Sequence, residues 1–254
     1  MKNTVKYNIR KDYKLLVEIT SNISDPPIKK WALTYLNGHL DHYAHVVSKV
    51  LSLSINNKII RILEIGAVPG HISTILKKLN YEIDIVDINP DRAKEVFQSS
   101  EIFTYKVDIE KEALPIGNKQ YDLILMNEVL EHLRYEPLKI FFEVKRVLKD
   151  GGFFFISTPN ITPLMRIRFL FGKDYIDDIL NEFEKITKIG HMGHYRIFSI
   201  VEVVKILKHF CFEPINISYG GNLHREGNIF INKLFIFLFG KKMKKQVHII
   251  ARNN

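Results

Sequence analysis

A single cysteine, Cys211, stands among the 254 residues of this chain. One thiol excludes a disulfide framework and any cysteine-based zinc site, and its apolar surroundings predict a small core residue. Bilayer-length apolar stretches are missing as well. The run Leu234 to Phe239 in the C-terminal tail is six residues long, whereas a spanning helix takes roughly 20. The opening MKNTVKYNIRKDYK has no apolar stretch after its basic start, so no signal peptide is expected and cytoplasmic residence is the default. Internal repeats and low-complexity segments are lacking. So are two phosphate-binding signatures: a dinucleotide fingerprint needs glycine at 66, 68 and 71, where this chain has Gly66, Val68 and His71, and no Gly-Lys-Ser/Thr follows to make a P-loop.

What is present is an apolar run, Ile59 to Ile65, that carries Glu64 and breaks into a turn holding Gly66 and Gly70. Near-continuous apolar residues suit a strand covered on both faces. The two glycines free the backbone for close approach to a ligand, and Pro69 precedes an apolar-periodic helix expected over 71–79, whose unpaired N–H groups face the same spot. A second apolar run ends at Asp87 and a third at Asp108. Three short strands, each delivering a carboxylate at its C-terminal end with helices between, describe a parallel α/β sheet whose strand tips share one ligand.

These residues resemble the class I S-adenosylmethionine-dependent methyltransferases, whose first strand is followed by E/D-x-G-x-G-x-G. Glu64, Gly66, position 68 and Gly70 stand at the matching places. QYDLILMNEVLEHL at 120–133, LKDGGFFFISTPN at 148–160 and FSIVEVVKILKHFCFEP at 198–214 are similar to the family's fourth strand, fifth strand, and late helix with sixth strand. The resemblance implies a doubly wound, mostly parallel seven-stranded sheet and an S-adenosylmethionine site. Gly66 and Gly70 would line the methionine moiety, Glu64 would hold its amino group or the turn, Asp87 would bind the ribose hydroxyls, and Asp108 would accept from the adenine amino group. Ala67, Ile88, Ile109 and Asn127 belong to the same implied cofactor set. The chain departs from the pattern at Val68, where the family has glycine. A β-branched residue resists positive φ, so the loop is expected to take a different local geometry.

Around this core the chain divides into an N-terminal helical cap, 1–58, broken at Ser24-Asp25-Pro26-Pro27, and a methyltransferase domain, 59–254, with insertions at 161–197 and 220–246. The cap carries Trp31, Tyr35, His39, His42 and Tyr43. Charge divides the same way. Residues 59–160 hold thirteen Lys/Arg against sixteen Asp/Glu, while 1–58 hold nine against four and 229–254 six against none. Basic ends suit either a phosphate-binding rim or plain solvated surface. In the segment 231–245 the apolar run is followed by four lysines, at 241, 242, 244 and 245; it reads either as a membrane-surface contact or as a buried helix or lid between the sixth and seventh strands.

A second constellation is Glu128, Glu131 and His132, followed downstream by His191 and His194. If the segment turns helical, offsets of three and four put the first three on one face. Two carboxylates and imidazoles are competent ligands for a divalent ion. The E-V-L-E-H string is similar to that of the ubiquinone-biosynthesis O-methyltransferases and of the small-RNA 3′-terminal 2′-O-methyltransferases, which implies metal ligands at Glu128, Glu131, His132 and His191. Without metal, His132 or His194 is the candidate general base. Asn127-Glu128-Val129 stands where amino-methylating members carry D/N-P-P-aromatic, so a hydroxyl acceptor is expected: a small molecule, glycan or lipid intermediate, with RNA as the alternative and a non-catalytic scaffold as a third reading.

Overall fold

Asp25, Pro26 and Pro27 set the first long element. Asp25 accepts the Ile28 N–H at 3.0 Å and Pro26 occupies the first helical position, where its missing N–H costs nothing. Helix α1 spans Tyr13–Ser21 and α2 runs from Pro26 to Ser54. In this computed structural model the residues described are 5–172, 179–180, 182–184, 193–225 and 229–254.

The strands are β1 (Arg61–Ile65), β2 (Glu82–Asp87), β3 (Phe103–Lys106), β4 (Tyr121–Asn127), β5 (Leu148–Pro159), β6 (Phe212–Leu223) and β7 (Lys244–Asn253). They form one seven-stranded sheet in the order β3-β2-β1-β4-β5-β7-β6. The first five strands pair in parallel, and β7 inserts antiparallel between β5 and β6. The order reverses between β1 and β4, the place where open α/β sheets leave a crevice at the carboxyl ends of their strands.

Alternation along the strands builds two cores. Ile62, Leu123, Leu125, Phe153 and Phe155 point to the side covered by α1, α2, α3 (His71–Lys78) and α4 (Lys94–Ser99). Leu63, Ile65, Ile124, Met126, Phe154 and Ile156 point to the other, covered by α5 (Lys139–Val147) and α7 (Ile200–His209). The cap residues Leu36, Val46, Val47 and Val50 share the first core with the strands, and α2 also packs on β6. Helix α2 therefore braces the sheet as well as overhanging its edge.

Connections at the far end of the sheet are α6 (Pro163–Leu170), capped by Thr162, and α8 (Ile229–Phe239) between β6 and β7. A helix does form between β6 and β7, as one of the expectations for 231–245 has it, but it is not a buried one: α8 is largely exposed and buries only Asn232. Cys211 also departs from expectation. It is exposed, at φ +58 in the tight turn joining α7 to β6, where the backbone geometry takes the side chain out of the core.

Candidate active site

Backbone geometry at the β1 turn shows why glycine stands where it does. Gly66 (φ +70) and Gly70 (φ +92) are both left-handed, and Val68 is not. A Cβ on Gly66 would lie 2.3 Å from Val129 Cγ2, and one on Gly70 would lie 2.8 Å from Phe97 Cε1. The Val68 N–H donates to Asp87 Oδ2 at 3.1 Å, so the carboxylate at the tip of β2 holds the loop that leaves β1. A β-branched side chain is accommodated because the turn asks for positive φ on either side of it and not at it.

Beside this loop opens a cavity of about 910 Å³. Gly66, Asp87, Ile88, Asp108, Ile109 and Asn127 line it, so the tips of β1, β2 and β4 and the segment after β3 converge on one space. Asp87 also accepts the Asn89 N–H at 2.9 Å, and burial pushes its carboxyl above the ordinary value. At Asp108 burial acts in the same direction, but Lys111, at 2.9 Å, and the Glu110 N–H outweigh it and hold the carboxyl low. Glu64 and Ala67 do not reach the large cavity; they line a small adjoining pocket under Tyr35 and Tyr43. Glu64 is buried, accepts hydrogen bonds from the Ser73 hydroxyl and from Asn127 Nδ2, and is pushed up to about 7 by burial. Gly70 lines neither space; it caps α3 and packs on Phe97.

The opposite wall carries the second constellation, in an arrangement that differs from one helical face. Glu128 sits at φ +53 directly after β4, and the following helix is a single 3-10 turn, Leu130–His132. The i, i+3, i+4 alignment expected of Glu128, Glu131 and His132 therefore does not form. Glu128 turns to Ser157, whose hydroxyl donates to it at 3.1 Å, and burial pushes it up to about 7. Glu131 is fully buried and raised well above the usual carboxylate range, by burial first and by Glu128 second. Its Oε2 accepts from Thr158 at 3.1 Å, while among the described residues Oε1 has no hydrogen-bond partner. The Tyr195 N–H donates to the Glu131 carbonyl at 2.9 Å and brings the downstream segment alongside.

That contact places His194 next to His132, ring centroids 4.9 Å apart. Ligand atoms of Glu131, His132 and His194 all lie within 4.8 Å of one another. His132 Nδ1 donates to the Gly193 carbonyl at 3.1 Å, the kind of contact that orients metal-ligating histidines. Of the expected metal set, Glu131 and His132 are in this cluster, Glu128 stands outside it and His191 lies outside the described residues; the third member is His194, expected as a general base.

Several lining residues have no motif to announce them. Trp31, Tyr35 and His39 of α2 line the cavity. Asn160, Thr162, His224 and Gln246 also line it, brought in by the ends of β5, β6 and β7. The one available signal is STPN at 157–160, the tip of a strand parallel to β4 and so at the same sheet edge.

Comparison with known proteins agrees with this geometry. The methyltransferase domain family matches residues 37–216. The chain belongs to it, within the class I S-adenosylmethionine-dependent methyltransferases. Over 124 residues the methyltransferase chain is 28% identical to the ubiquinone biosynthesis O-methyltransferase of Xanthomonas oryzae pv. oryzae, a match covering 47% of this chain and 52% of that enzyme. It thus spans about half the length of the curated relatives it matches. An S-adenosylmethionine-dependent methyltransferase structure from Thermotoga maritima superimposes with a TM-score of 0.59 at 17% identity, over 94% of this chain and all of the other. One from Aquifex aeolicus gives 0.56 at 16%, over 98% and 100%. These likenesses establish the fold.

Proposed function

We propose that this methyltransferase-family chain transfers the methyl group of S-adenosylmethionine to a hydroxyl oxygen of a small-molecule, glycan or lipid-intermediate acceptor. The observation that carries this reading is that Asp87 and Asp108 share one continuous cavity with Glu131, His132 and His194. The cofactor supplies a methyl group already activated by a cationic sulfur, so the protein's task is alignment and exclusion of water.

In this reading Asp87 and Asp108, both on the cavity wall, hold the ribose and adenine, and Gly66 leaves room for close approach of the backbone. The overhanging α2 residues Trp31 and Tyr35 shield the space from solvent. A hydroxyl nucleophile needs its proton removed or its oxygen polarised. His132 and His194 supply imidazoles for the first task. For the second, the orphaned Glu131 oxygen and the two histidines form a donor set that fits a divalent ion, which would act there as a Lewis acid.

The test is calorimetric titration with S-adenosylhomocysteine, followed by transfer of labelled methyl to matched phenolic, sugar-hydroxyl and amine acceptors. Binding at micromolar cofactor and transfer to oxygen are expected. No binding at millimolar cofactor, or transfer to amines alone, overturns the reading. A second reading, RNA 2′-O-methylation, is favoured by Lys111, Arg134 and Lys245 on the cavity wall, and salt-sensitive RNA binding would select it.

A further inference from the structure

We infer that α6, α8 and the lysine turn after them form a surface that docks on an anionic lipid bilayer. The two helices pack against each other and present apolar side chains to solvent. Leu170 is 80% exposed, Phe171 81%, Phe237 86% and Leu238 59%, values that belong to side chains reaching outward from the body. Among the described residues no helix is long and apolar enough to cross a membrane, so insertion across the bilayer is not what this apolar surface serves.

The apolar surface is built in rather than frayed. Met243, next to exposed Lys241 and Lys242, is fully buried, and its carbonyl accepts the His224 N–H. The Asn160 side chain donates to the carbonyls of Lys242 and Lys244, at 2.9 and 2.8 Å. Because Asn160 lines the catalytic cavity, this contact ties the lysine turn to the cavity wall. Thr162 and Met165 at the start of α6, and Lys245 and Gln246 at the start of β7, line the same cavity. The surface therefore stands at the cavity's rim.

Charge selects the occupant. Residues 229–254 contain six Lys/Arg and no Asp/Glu, and α6 adds Arg166 and Arg168 with no acidic residue. A second copy packed on this face would meet basic residues with basic residues and bring no carboxylate from either segment. An anionic bilayer offers both complements at once: an apolar interior for Phe237 and Leu238, and negative headgroups for Lys241 and Lys242. The inference concerns the surface alone and stands or falls separately from the methyl-transfer reading.

Vesicle flotation tests it, with phosphatidylcholine vesicles compared against vesicles containing about one-third phosphatidylglycerol, an anionic fraction chosen for a strong surface potential. The full chain should float with the anionic vesicles and remain behind with the neutral ones. Lys241→Gln/Lys242→Gln should lower partitioning on the order of 30-fold, since each basic residue near such a surface contributes roughly a factor of five. Phe237→Ser/Leu238→Ser should abolish flotation while leaving S-adenosylhomocysteine affinity and melting temperature unchanged, because both side chains are exposed. Failure of the parent chain to float, equal flotation on neutral vesicles, or variants that float like the parent would overturn the inference. A dimer seen by sedimentation and lost in the Phe237→Ser/Leu238→Ser variant, without vesicle binding, would assign the face to a second copy instead.

Discussion

Gly66→Ala makes the sharpest demand on the geometry described. Two separate costs follow from the structure. An L-residue at φ +70 loses about 1 to 2 kcal/mol. The new methyl would also lie 2.3 Å from Val129 Cγ2, and an overpacked site of this kind costs typically about 1 to 3 kcal/mol more. The sum, about 2 to 5 kcal/mol, should appear as lost stability in urea denaturation. A double-mutant cycle separates the parts. Val129→Ala alone removes two methyl groups from a buried side chain and costs roughly 1.5 kcal/mol. In Gly66→Ala/Val129→Ala the clash is gone and the φ cost stays, so the pair should be more stable than the two losses added together by about 1 to 3 kcal/mol. Gly240→Ala is the control: φ is +50 and nothing lies within 4 Å of a Cβ placed there, so only the conformational cost of about 1 kcal/mol should appear. Strict additivity of the Gly66 and Val129 changes, or a Gly66→Ala protein no less stable than Gly240→Ala, would refute the close-approach argument.

Three further outcomes are expected. Asp87→Ala removes acceptors for the Val68 and Asn89 N–H groups and the proposed ribose contact together, and should weaken S-adenosylhomocysteine binding roughly 10- to 100-fold by calorimetry, in line with about 1.5 to 3 kcal/mol for a hydrogen bond to a charged group; unchanged affinity would remove Asp87 from the site. Mn²⁺ or Zn²⁺ should raise the melting temperature of the parent chain and not of Glu131→Gln, and an equal rise in both would place any bound ion elsewhere. His71, buried and lowered to about 3 by burial, contributes stability that is present above its unfolded value of 6.5 and is lost as pH falls; between about pH 6.5 and 5 that is about 2 kcal/mol. His71→Gln should therefore lose acid sensitivity by that amount relative to the parent, whereas parallel pH profiles would show that the imidazole is not held neutral.

The parts of this molecule that can be read in the sequence are those encoded in short-range chemistry. The strand tips at Ile65, Asp87 and Asn127 follow from apolar runs that end abruptly, and α2 begins at the Asp25-Pro26 signal because a cap and a proline act locally. What escapes such a reading depends on distant segments. Glu128 leaves the helical register because Ser157, 29 residues away, draws its side chain toward β5. His194 joins Glu131 and His132 through a backbone hydrogen bond from Tyr195, which no periodicity announces. Asn160 and His224 reach the cavity only because β5, β6 and β7 end beside it. Cys211 departs from its apolar context for a local reason: its neighbours Phe210 and Phe212 are buried, yet a positive-φ turn between helix and strand points the thiol outward.

The distribution of buried ionisable groups ties these observations together. Under α2, His42 and His248 share a hydrogen bond at 3.1 Å, and burial lowers both, so this side of the sheet is held by neutral bases. At the strand tips the buried groups are acids. Glu64 and Glu128 are pushed up to about 7 and Glu131 is raised well above the usual carboxylate range, and Tyr35 on the cavity wall is raised by burial first and by these three carboxylates in addition. Carboxyls with raised values stabilise the fold below their unfolded value of 4.5 and lose that contribution as pH rises through about 7, so at neutral pH the ligand-free protein carries a standing penalty. A cation in the cavity relieves it by favouring the ionised forms. The sulfonium of the cofactor would bring that relief when bound, and so would a divalent ion if Glu131, His132 and His194 held one. The same burial that makes the ligand-free protein less stable would thus favour positively charged ligands beside Glu64, Glu128 and Glu131 at the strand tips.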